Sequence, residues 1–302
     1  MSPSTRPIVF GEVLFDRFPD GSEVLGGAPF NVAWHLAAFG HDPLLITRIG
    51  ADEPGRRVLD AMVGHGMDVS AVQRDPDAPT GTVRVLLGAE GPGFEIPPDQ
   101  AFDRIDAGEA LAATRAVEAA LLYHGSLAVR AAASAAALDA LRERLRALRF
   151  VDVNLRAPWW ERAAVLSLCR RAAIVKLNDD ELHALAGRRT GSPGDLAREL
   201  AADLGCGWLV VTRGAGGALL VTGRGEPLAR RPPEDVDVVD TVGAGDAFAA
   251  VTIAGRLRGW SEHVTLARAV EFAARICGIR GAVPGDPGFY ERTLADWRAH
   301  DA

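Results

Sequence analysis

The chain has 302 residues, 48% of them hydrophobic, and carries a formal net charge of −7 with a sequence pI near 5.5. This length suits one large α/β domain or two ordinary ones. The acidic balance, without any Lys/Arg-rich block, argues against nucleic acid or an anionic membrane as the main partner. No signal-peptide pattern opens the chain, and no apolar run approaches the roughly 18 residues of a membrane span. The three cysteines are far apart and form no CxxC pair, so we expect reduced, buried thiols in a cytoplasmic protein.

The first elements suggest a strand, a turn and a helix. Residues 7–15 form an apolar run that predicts a buried strand ended by Asp16. Pro19-Asp20-Gly21 predicts a turn, and the next three residues can return as a short strand. Gly26-Gly27-Ala28-Pro29 then predicts a helix start, with proline suited to the first turn.

Asp16, Gly26, Gly27 and Asn31 are candidate ligand contacts. An aspartate closing the first strand would stand on the ligand side of a parallel sheet, where it can bind hydroxyl groups of a small polar molecule. Two glycines at a helix start let a ligand approach the backbone closely. The plain alternatives are a turn-forming aspartate and an ordinary loop leading into a helix.

A change of pattern follows Thr80. Residues 82–86 alternate as a half-exposed strand does, Gly91-Pro92-Gly93 predicts a turn, and residues 94–96 continue outward. This predicts a β-hairpin inserted between α/β units, which together with residues 13–25 forms a small separate sheet. The predicted organisation is a large domain of residues 1–12, 26–79 and 99–302 with a small β lid of residues 13–25 and 80–98.

Strand and helix then alternate to the end of the chain. We predict core strands at 119–123, 150–153, 173–177 and 208–212, edge strands at 219–221 and 227–231, and helices at 54–63, 138–148, 246–257 and 261–277, the last two finishing the core. Repeated β–α units predict an α/β fold with a doubly wound, mostly parallel sheet sandwiched by helices. Ligands of such sheets lie at the carboxyl ends of the strands.

Three of these strand ends carry candidate polar groups. Arg156 can hold a phosphate bidentately or be a plain surface arginine. Asn178 and Glu181 form a near-ideal capping pair, and their alternative role is magnesium binding through water. Residues 212–217 are glycine-rich without the GxGxxG spacing, which excludes a Rossmann site but leaves room for a nucleotide or a tight turn.

The most informative segment is Asp240-Thr-Val-Gly-Ala-Gly-Asp-Ala-Phe248. Its glycines permit a sharp bend, and the amides of 243–246 would be free donors at the start of a helix, which is a place that binds phosphate. Asp246 either handles a proton there or caps the helix. Lys176 is the only lysine and does not stand in a Gly-Lys-Ser/Thr motif, so a Walker A site is excluded.

These segments resemble the signatures of the ribokinase-like (PfkB) carbohydrate kinases. The N-terminal signature is similar to residues 26–40 and 50–55, and the C-terminal one to residues 240–248. Within the family, residues 11–16, 79–105, 124–130 and 152–156 look most like bacterial fructokinases. Phe102 stands where the family often has Trp or Tyr.

The resemblance implies ATP-dependent phosphorylation of a primary hydroxyl of a small sugar, with D-fructose the expected acceptor. Other acceptors are 2-keto-3-deoxygluconate, ribose or a nucleoside, and a non-catalytic sugar or nucleotide sensor is a further alternative. The resemblance also implies Mg²⁺ and allows K⁺. An exposed lid sheet can pair with a second copy, which would give a homodimer, and the alternative is that the hairpin is simply a flap.

Site roles follow from the same resemblance. It implies sugar contacts at Asp16, Gly27 and Asn31, a catalytic base at Asp246, and an anion hole at Gly243, Ala244 and Gly245. Asn178 and Glu181 would serve magnesium and phosphate, and Thr212, Gly214 and Gly217 would line the nucleotide. Asp240, Val242, Ile276 and Gly281 match a monovalent-cation site by position, with Gly285 standing where a side-chain ligand can occur.

Overall fold

The computed structural model describes residues 5–88, 91–188, 190–223, 225–234 and 236–299. The strands there are β1 (Thr5–Phe10), β2 (Leu14–Arg17), β3 (Glu23–Gly26), β4 (Leu44–Gly50), β5 (Val72–Asp75), β6 (Gly81–Gly88), β7 (Gly91–Glu95), β8 (Glu118–His124), β9 (Leu148–Asp152), β10 (Ile174–Asn178), β11 (Trp208–Thr212), β12 (Ala218–Thr222) and β13 (Leu228–Arg230). The helices are α1 (Ala28–Ala38), α2 (Glu53–Gly64), α3 (Ala107–Ala113), α4 (Ala132–Arg144), α5 (Arg162–Cys169), α6 (Asp179–Ala186), α7 (Pro193–Leu204), α8 (Ala244–Arg258), α9 (Glu262–Cys277) and α10 (Pro287–Ala299).

A large sheet forms the centre of the molecule. Its nine strands run in the order β13-β12-β11-β10-β9-β8-β1-β4-β5, and only the pairs that involve β12 and β13 are antiparallel. Apolar clusters on its faces pack against the helices. This confirms the predicted doubly wound, mostly parallel α/β fold. No helix of the described segments has both the length and the apolarity to cross a membrane.

The predicted first strand is wrong in one respect, because residues 7–15 belong to two sheets. β1 ends at Phe10, and the chain leaves the large sheet through Gly11, whose φ is 149°. A Cβ on Gly11 would lie 2.4 Å from Cγ of Pro29, so no larger residue fits there. Asp16 therefore lies in β2 of the small sheet rather than at the carboxyl end of β1.

The small sheet has the strand order β3-β2-β6-β7. β6 and β7 form the antiparallel hairpin expected after Thr80, and β2 pairs in parallel with β6. The strands lie in the segments predicted as the lid, except that β3 extends to Gly26. The division into two domains stays a prediction.

Two helix predictions need correction. The helix predicted at 138–148 is α4, which ends at Arg144 because Leu145 is extended, and Leu148 begins β9. The apolar positions that predicted a helix extend past Arg144 because β9, which follows, is also rich in apolar residues. α10 was not predicted, and its Tyr290 and Trp297 join the core after α9. Ser261 caps α9, since its Oγ accepts a hydrogen bond from the amide of Val264 at 3.3 Å.

Two of the three thiols are buried, as expected, and the third is not. Cys169 and Cys206 are buried, Cys277 is half-buried, and all three are free.

Candidate active site

The start of α8 is built on a glycine rather than on a side-chain cap. Gly243 is the N-cap with φ 79°, and a Cβ there would lie 2.4 Å from Cα of Ala282. The amide of Ala244 makes only a long 3.4 Å contact to the carbonyl of Thr241. The amides of Gly245 and Asp246 have no acceptor among the described residues. This turn offers free donors at the positive end of a helix dipole, which suits an anion.

Asp246 does not cap this helix. Its Oδ2 accepts a hydrogen bond of 2.8 Å from Nδ2 of Asn31, which lies on α1. Burial raises the pKa of Asp246 to about 6, with a smaller contribution from the charge of Asp152. The capping alternative is therefore wrong, and Asp246 is a partly desolvated carboxyl group held beside the free amides.

Asp16 and Gly26 continue the site away from Asp246. A Cβ on Gly26 would lie 3.7 Å from Oδ2 of Asp16 and 3.9 Å from Oδ1 of Asn31. Burial raises the pKa of Asp16 to about 6. Oδ1 of Asn31 is buried and has no hydrogen-bond partner in the described part of the chain. An unpaired buried acceptor is costly, so this atom is suited to a donor that arrives with a ligand.

The backbones of Gly27 and Glu12 pack against each other in this region. Gly27 is the N-cap of α1 with φ 108°, and a Cβ there would lie 2.8 Å from the carbonyl oxygen of Glu12. Glu12 was not singled out from the sequence. Its side chain is buried, its Oε2 lacks a partner among the described atoms, and burial raises its pKa to about 7.

Arg156 is exposed beyond the end of β9. Its Nη1 donates to the carbonyl oxygen of the adjacent Leu155 at 3.0 Å, and within the described ranges it forms no ion pair. Burial raises the pKa of Glu12, Asp16 and Asp246, and the positive charge of Arg156 offsets part of that rise. The guanidinium therefore lies close enough to act on three carboxyl groups while keeping its bidentate face free.

Asn178 and Glu181 form the capping box that their spacing predicts. The Asn178 side chain accepts from the amide of Glu181 at 2.9 Å, and Oε2 of Glu181 accepts from the amide of Asn178 at 2.9 Å. Oε1 of Glu181 also accepts from the amide of Leu155 at 2.7 Å. Each carboxylate oxygen keeps a second lone pair, so a water-mediated magnesium contact stays chemically open.

The predicted nucleotide segment adjoins this cap. Thr212 is the register partner of Asn178 in the neighbouring strand, so the two residues stand side by side. Gly214 begins a short 3₁₀ turn and Gly217 follows it, with φ of 51° and 81°. A Cβ on Gly217 would lie 1.9 Å from the carbonyl oxygen of Arg230, which explains this glycine by packing alone.

The predicted cation segment is a closed loop. Asp240 accepts from the amides of Val242 and Gly281, both at 3.0 Å. The carbonyl of Cys277 receives the amides of Val239 and Asp240. Ile276 is buried on α9, and Gly285 is exposed with open space around it. The described residues contain no group of three His, Cys, Asp or Glu side chains arranged to hold a metal ion.

A buried ionic group behind α8 was missed in the sequence. Nζ of Lys176 donates to both carboxylate oxygens of Asp152, at 2.8 and 2.9 Å, and the hydroxyl of Tyr123 donates to Asp152 at 3.2 Å. The only available signal was that Lys176 is the sole lysine of the chain.

Known proteins of one family match this chain in sequence and in fold. The model of the pfkB family carbohydrate kinases matches residues 8–287. The chain is 32% identical over 293 residues to aminoimidazole riboside kinase of Salmonella typhimurium, covering 92% of this chain and 89% of that protein. It is 30% identical over 299 residues to fructokinase of Escherichia coli, covering 91% and 92%. The structure matches Vibrio cholerae fructokinase, solved with fructose, ADP and calcium, at a TM-score of 0.78 and 27% identity over 92% of this chain and 94% of that one.

The match covers most of the chain, and the fold is the one these kinases share. The chain therefore belongs to the pfkB family of carbohydrate kinases. The resemblance that the sequence motifs indicated is confirmed.

Proposed function

We propose that this kinase transfers the γ-phosphoryl group of ATP to a primary hydroxyl of D-fructose, giving fructose 6-phosphate. One observation carries the proposal: Asp246 is held by Asn31 from α1, directly beside the unpaired amides at the start of α8. A proton acceptor and an anion site in contact are what transfer of a phosphoryl group to an alcohol requires.

In the proposed reaction, Asp246 takes the proton of the attacking hydroxyl as the new O–P bond forms, and ADP leaves with the electron pair of the broken bond. The amides of 243–245 stabilise negative charge on the transferring group, and Arg156 can bind the same group through its free face. Asn178 and Glu181 would hold Mg²⁺ through water, and the ion would neutralise phosphate charge. Closure of the small sheet would exclude water from the site.

The charge of the acceptor region favours a neutral sugar over an acidic one. Glu12, Asp16 and Asp246 converge there. Of the cations that act on them, Arg130 is already paired with Asp103 at 2.7 Å and Arg156 is assigned to the transferring phosphoryl group. An acidic acceptor such as 2-keto-3-deoxygluconate would meet this negative charge, whereas sugar hydroxyls can donate to Asp16 and to Oδ1 of Asn31.

A riboside is a second candidate, and one feature favours it. Asp16 is the register partner of both Val24 and Val83, so these valines share its face of the small sheet. Phe94, opposite Val85, lies on the same face. Val24 and Phe94 expose 41% and 54% of their surface, which leaves apolar area for the heterocycle of a nucleoside.

A panel of acceptors in a coupled ADP-release assay tests the proposal. The panel contains D-fructose, ribose, 2-keto-3-deoxygluconate, a nucleoside and aminoimidazole riboside, each with MgATP. We expect the highest kcat/KM with fructose. A higher value with a riboside would favour the second candidate, and binding of both ligands without ADP release would indicate a sensor.

Asp16→Ala adds a matched variant to this panel. Losing a hydrogen-bonding carboxylate should raise the KM for the sugar by about 10- to 100-fold and leave ATP binding intact. Asp20→Ala, in the exposed turn of the same hairpin, is the control and should leave the KM unchanged. An unchanged KM in Asp16→Ala would show that Asp16 only shapes the sheet.

Further properties complete the proposal. We propose a cytoplasmic enzyme, since the chain resembles a small-molecule kinase and carries three free thiols. An edge strand of the small sheet, β3 or β7, also suits pairing with a second copy. Stimulation by K⁺ over Na⁺ would support the cation site around Asp240.

A further inference from the structure

Lys176, Asp152 and Tyr123 form a buried triad in the middle of the large sheet. They lie on the neighbouring strands β10, β9 and β8, and the side chains of Lys176 and Asp152 are 8% and 2% exposed. Asp152 accepts two hydrogen bonds from the ammonium and one from the phenol. The ammonium and the carboxylate are thus taken out of water together.

The triad lies directly beneath the turn of residues 243–246 that begins α8. A Cβ on Gly245 would lie 3.4 Å from Nζ of Lys176, so the ammonium faces the backbone that offers the free amides with no side chain between them. The chain has 33 Lys and Arg residues, and this is the only lysine among them. A compact ammonium fits under a backbone at this distance, whereas a planar guanidinium needs more room and its own set of acceptors.

Burial lowers the pKa of Lys176, but Asp152 and the more distant Glu181 and Asp246 raise it above its usual value, so the ammonium stays charged beneath the turn. The start of a helix is the positive end of its dipole, and a cation there is repelled. A buried ion pair is also weak evidence for stability, because well-packed apolar residues often replace it without loss. A negative group that lies on the turn would add a further attraction to this ammonium.

We propose that Lys176 and Asp152 are positioning residues of the phosphoryl-transfer site, with Lys176 supplying positive charge under Gly245 and Asp152 holding it in place. The inference rests on the proposed function. The two residues do not touch the substrate, and they act through the turn and through Asp246.

The triad should act on Asp246 in two opposite directions. Lys176 lowers the pKa of Asp246, whereas Asp152 raises it. The other groups that face or interact with this carboxyl are Asn31 from α1, Glu12 from the β1–β2 connection, Tyr123 from β8 and Arg156 from the segment after β9. Because Lys176 and Asp152 carry opposite charges, their single variants should shift the pKa of Asp246 in opposite directions. A loss of packing would instead affect both variants in the same way.

The pH dependence of kcat/KM gives the first test. Lys176→Met should move the acid limb of the pH profile to higher pH by about one unit, because the pKa of Asp246 rises. Asp152→Asn should move the same limb to lower pH. Tyr123→Phe keeps both charges and should move it less. Arg48→Met, which breaks the ion pair with Asp75 on β5, is the control and should leave the limb in place. Shifts in one direction for both variants, or no shift in either, would overturn the proposal.

Breaking a buried pair can unfold the protein, so the double variant Lys176→Met/Asp152→Leu provides a second test. It should fold and lower kcat about tenfold, less than the loss of a direct oxyanion donor. A wild-type kcat in the folded double variant would show that the triad only packs.

A third measurement needs no activity. With ¹⁵N-labelled lysine the chain gives a single side-chain ammonium resonance, which reports on Nζ without assignment. Inorganic phosphate should shift this resonance in the wild type, and the absence of a shift at saturating phosphate would overturn the proposal. If no sugar supports ADP release but the resonance shifts, the proposed function fails while the role of Lys176 at an anion site stands.

Discussion

The helices α6 and α8 share one feature of their first turn and differ in the chemistry that it supports. Each carries an acidic residue at the third helical position, Glu181 in α6 and Asp246 in α8. In α6 the cap is Asn178, and the carboxylate turns back to accept two backbone amides. In α8 the cap is Gly243, the first-turn amides stay free, and the carboxylate reaches across to Asn31. The residue at the cap decides whether the acid stabilises its own helix or is available for a substrate.

The comparison predicts its largest effect at Asp246. Asp246→Asn should lower kcat at least about 10²-fold, because a proton acceptor is lost while the hydrogen bond to Asn31 can be kept. Steady-state kinetics with sugar and MgATP measure this. Asp195→Asn, at the third position of α7, is the control and should keep its kcat, since Asp195 is exposed and pairs with Ser192.

Near-normal turnover in Asp246→Asn would show that Asp246 is not the catalytic base. The acidic residue of α8 would then have no more role in the chemistry than the capping acid of α6. The nucleotide affinity of the variant should stay close to the wild-type value, which separates a lost base from a lost binding site.

The same carboxyl should reverse the usual pH dependence of stability. The pKa of Asp246 is about 6 in the folded protein against an ordinary value of 3.8. A raised pKa means that the folded state holds the proton more tightly, so this contribution is lost as pH rises from about 4 through 6. Ionisation then costs up to about 3 kcal/mol at pH 7.5.

Thermal unfolding at pH 4 and pH 7.5 checks this contribution. Asp246→Asn should raise the Tm at pH 7.5 and have little effect at pH 4. Glu12 and Asp16, whose pKa values are also raised, should give the wild type the same slope. A lower Tm for Asp246→Asn at pH 7.5 would mean that the ionised carboxyl stabilises the fold.

Much of the fold could be predicted because it depends on local patterns. The sequence of β–α units and the capping box of α6 follow from periodicity and spacing. The split of residues 7–15 could not be predicted in that way, because the contact of Gly11 with Pro29 is a tertiary one.

The same difference between local patterns and tertiary contacts applies to the site. Asp246 could be located but not assigned from the residues alone, because its partner Asn31 lies 215 residues away in the chain. Asp152 and Lys176 come together only through the register of β9 and β10, where they are paired directly. Their apolar sequence surroundings resemble any buried strand, so only the rarity of lysine marked the position.

Gly243→Ala tests why α8 begins without a side-chain cap. The methyl group would overlap Ala282 in a left-handed conformation, which should cost about 1–3 kcal/mol and displace the free amides. We expect a lower kcat and a higher KM for MgATP. Gly259→Ala, at the other end of the same helix with φ 70° and open space, is the control. It should lose stability through strain alone, and equal kinetic losses in the two variants would contradict a specific role for the turn.

The smallest effect is expected at Asn178, where two substitutions separate the cap from any contact with the nucleotide. Asn178→Ala removes the acceptor for the amide of Glu181 and should cost about 1 kcal/mol of stability. Asn178→Asp keeps an acceptor at that place, so the Tm should stay near the wild-type value. Its added negative charge beside Thr212 should still raise the KM for MgATP, because the phosphates of the nucleotide would be repelled. An unchanged KM in both variants would make the start of α6 a pure cap, and phosphate binding would then belong to α8 alone.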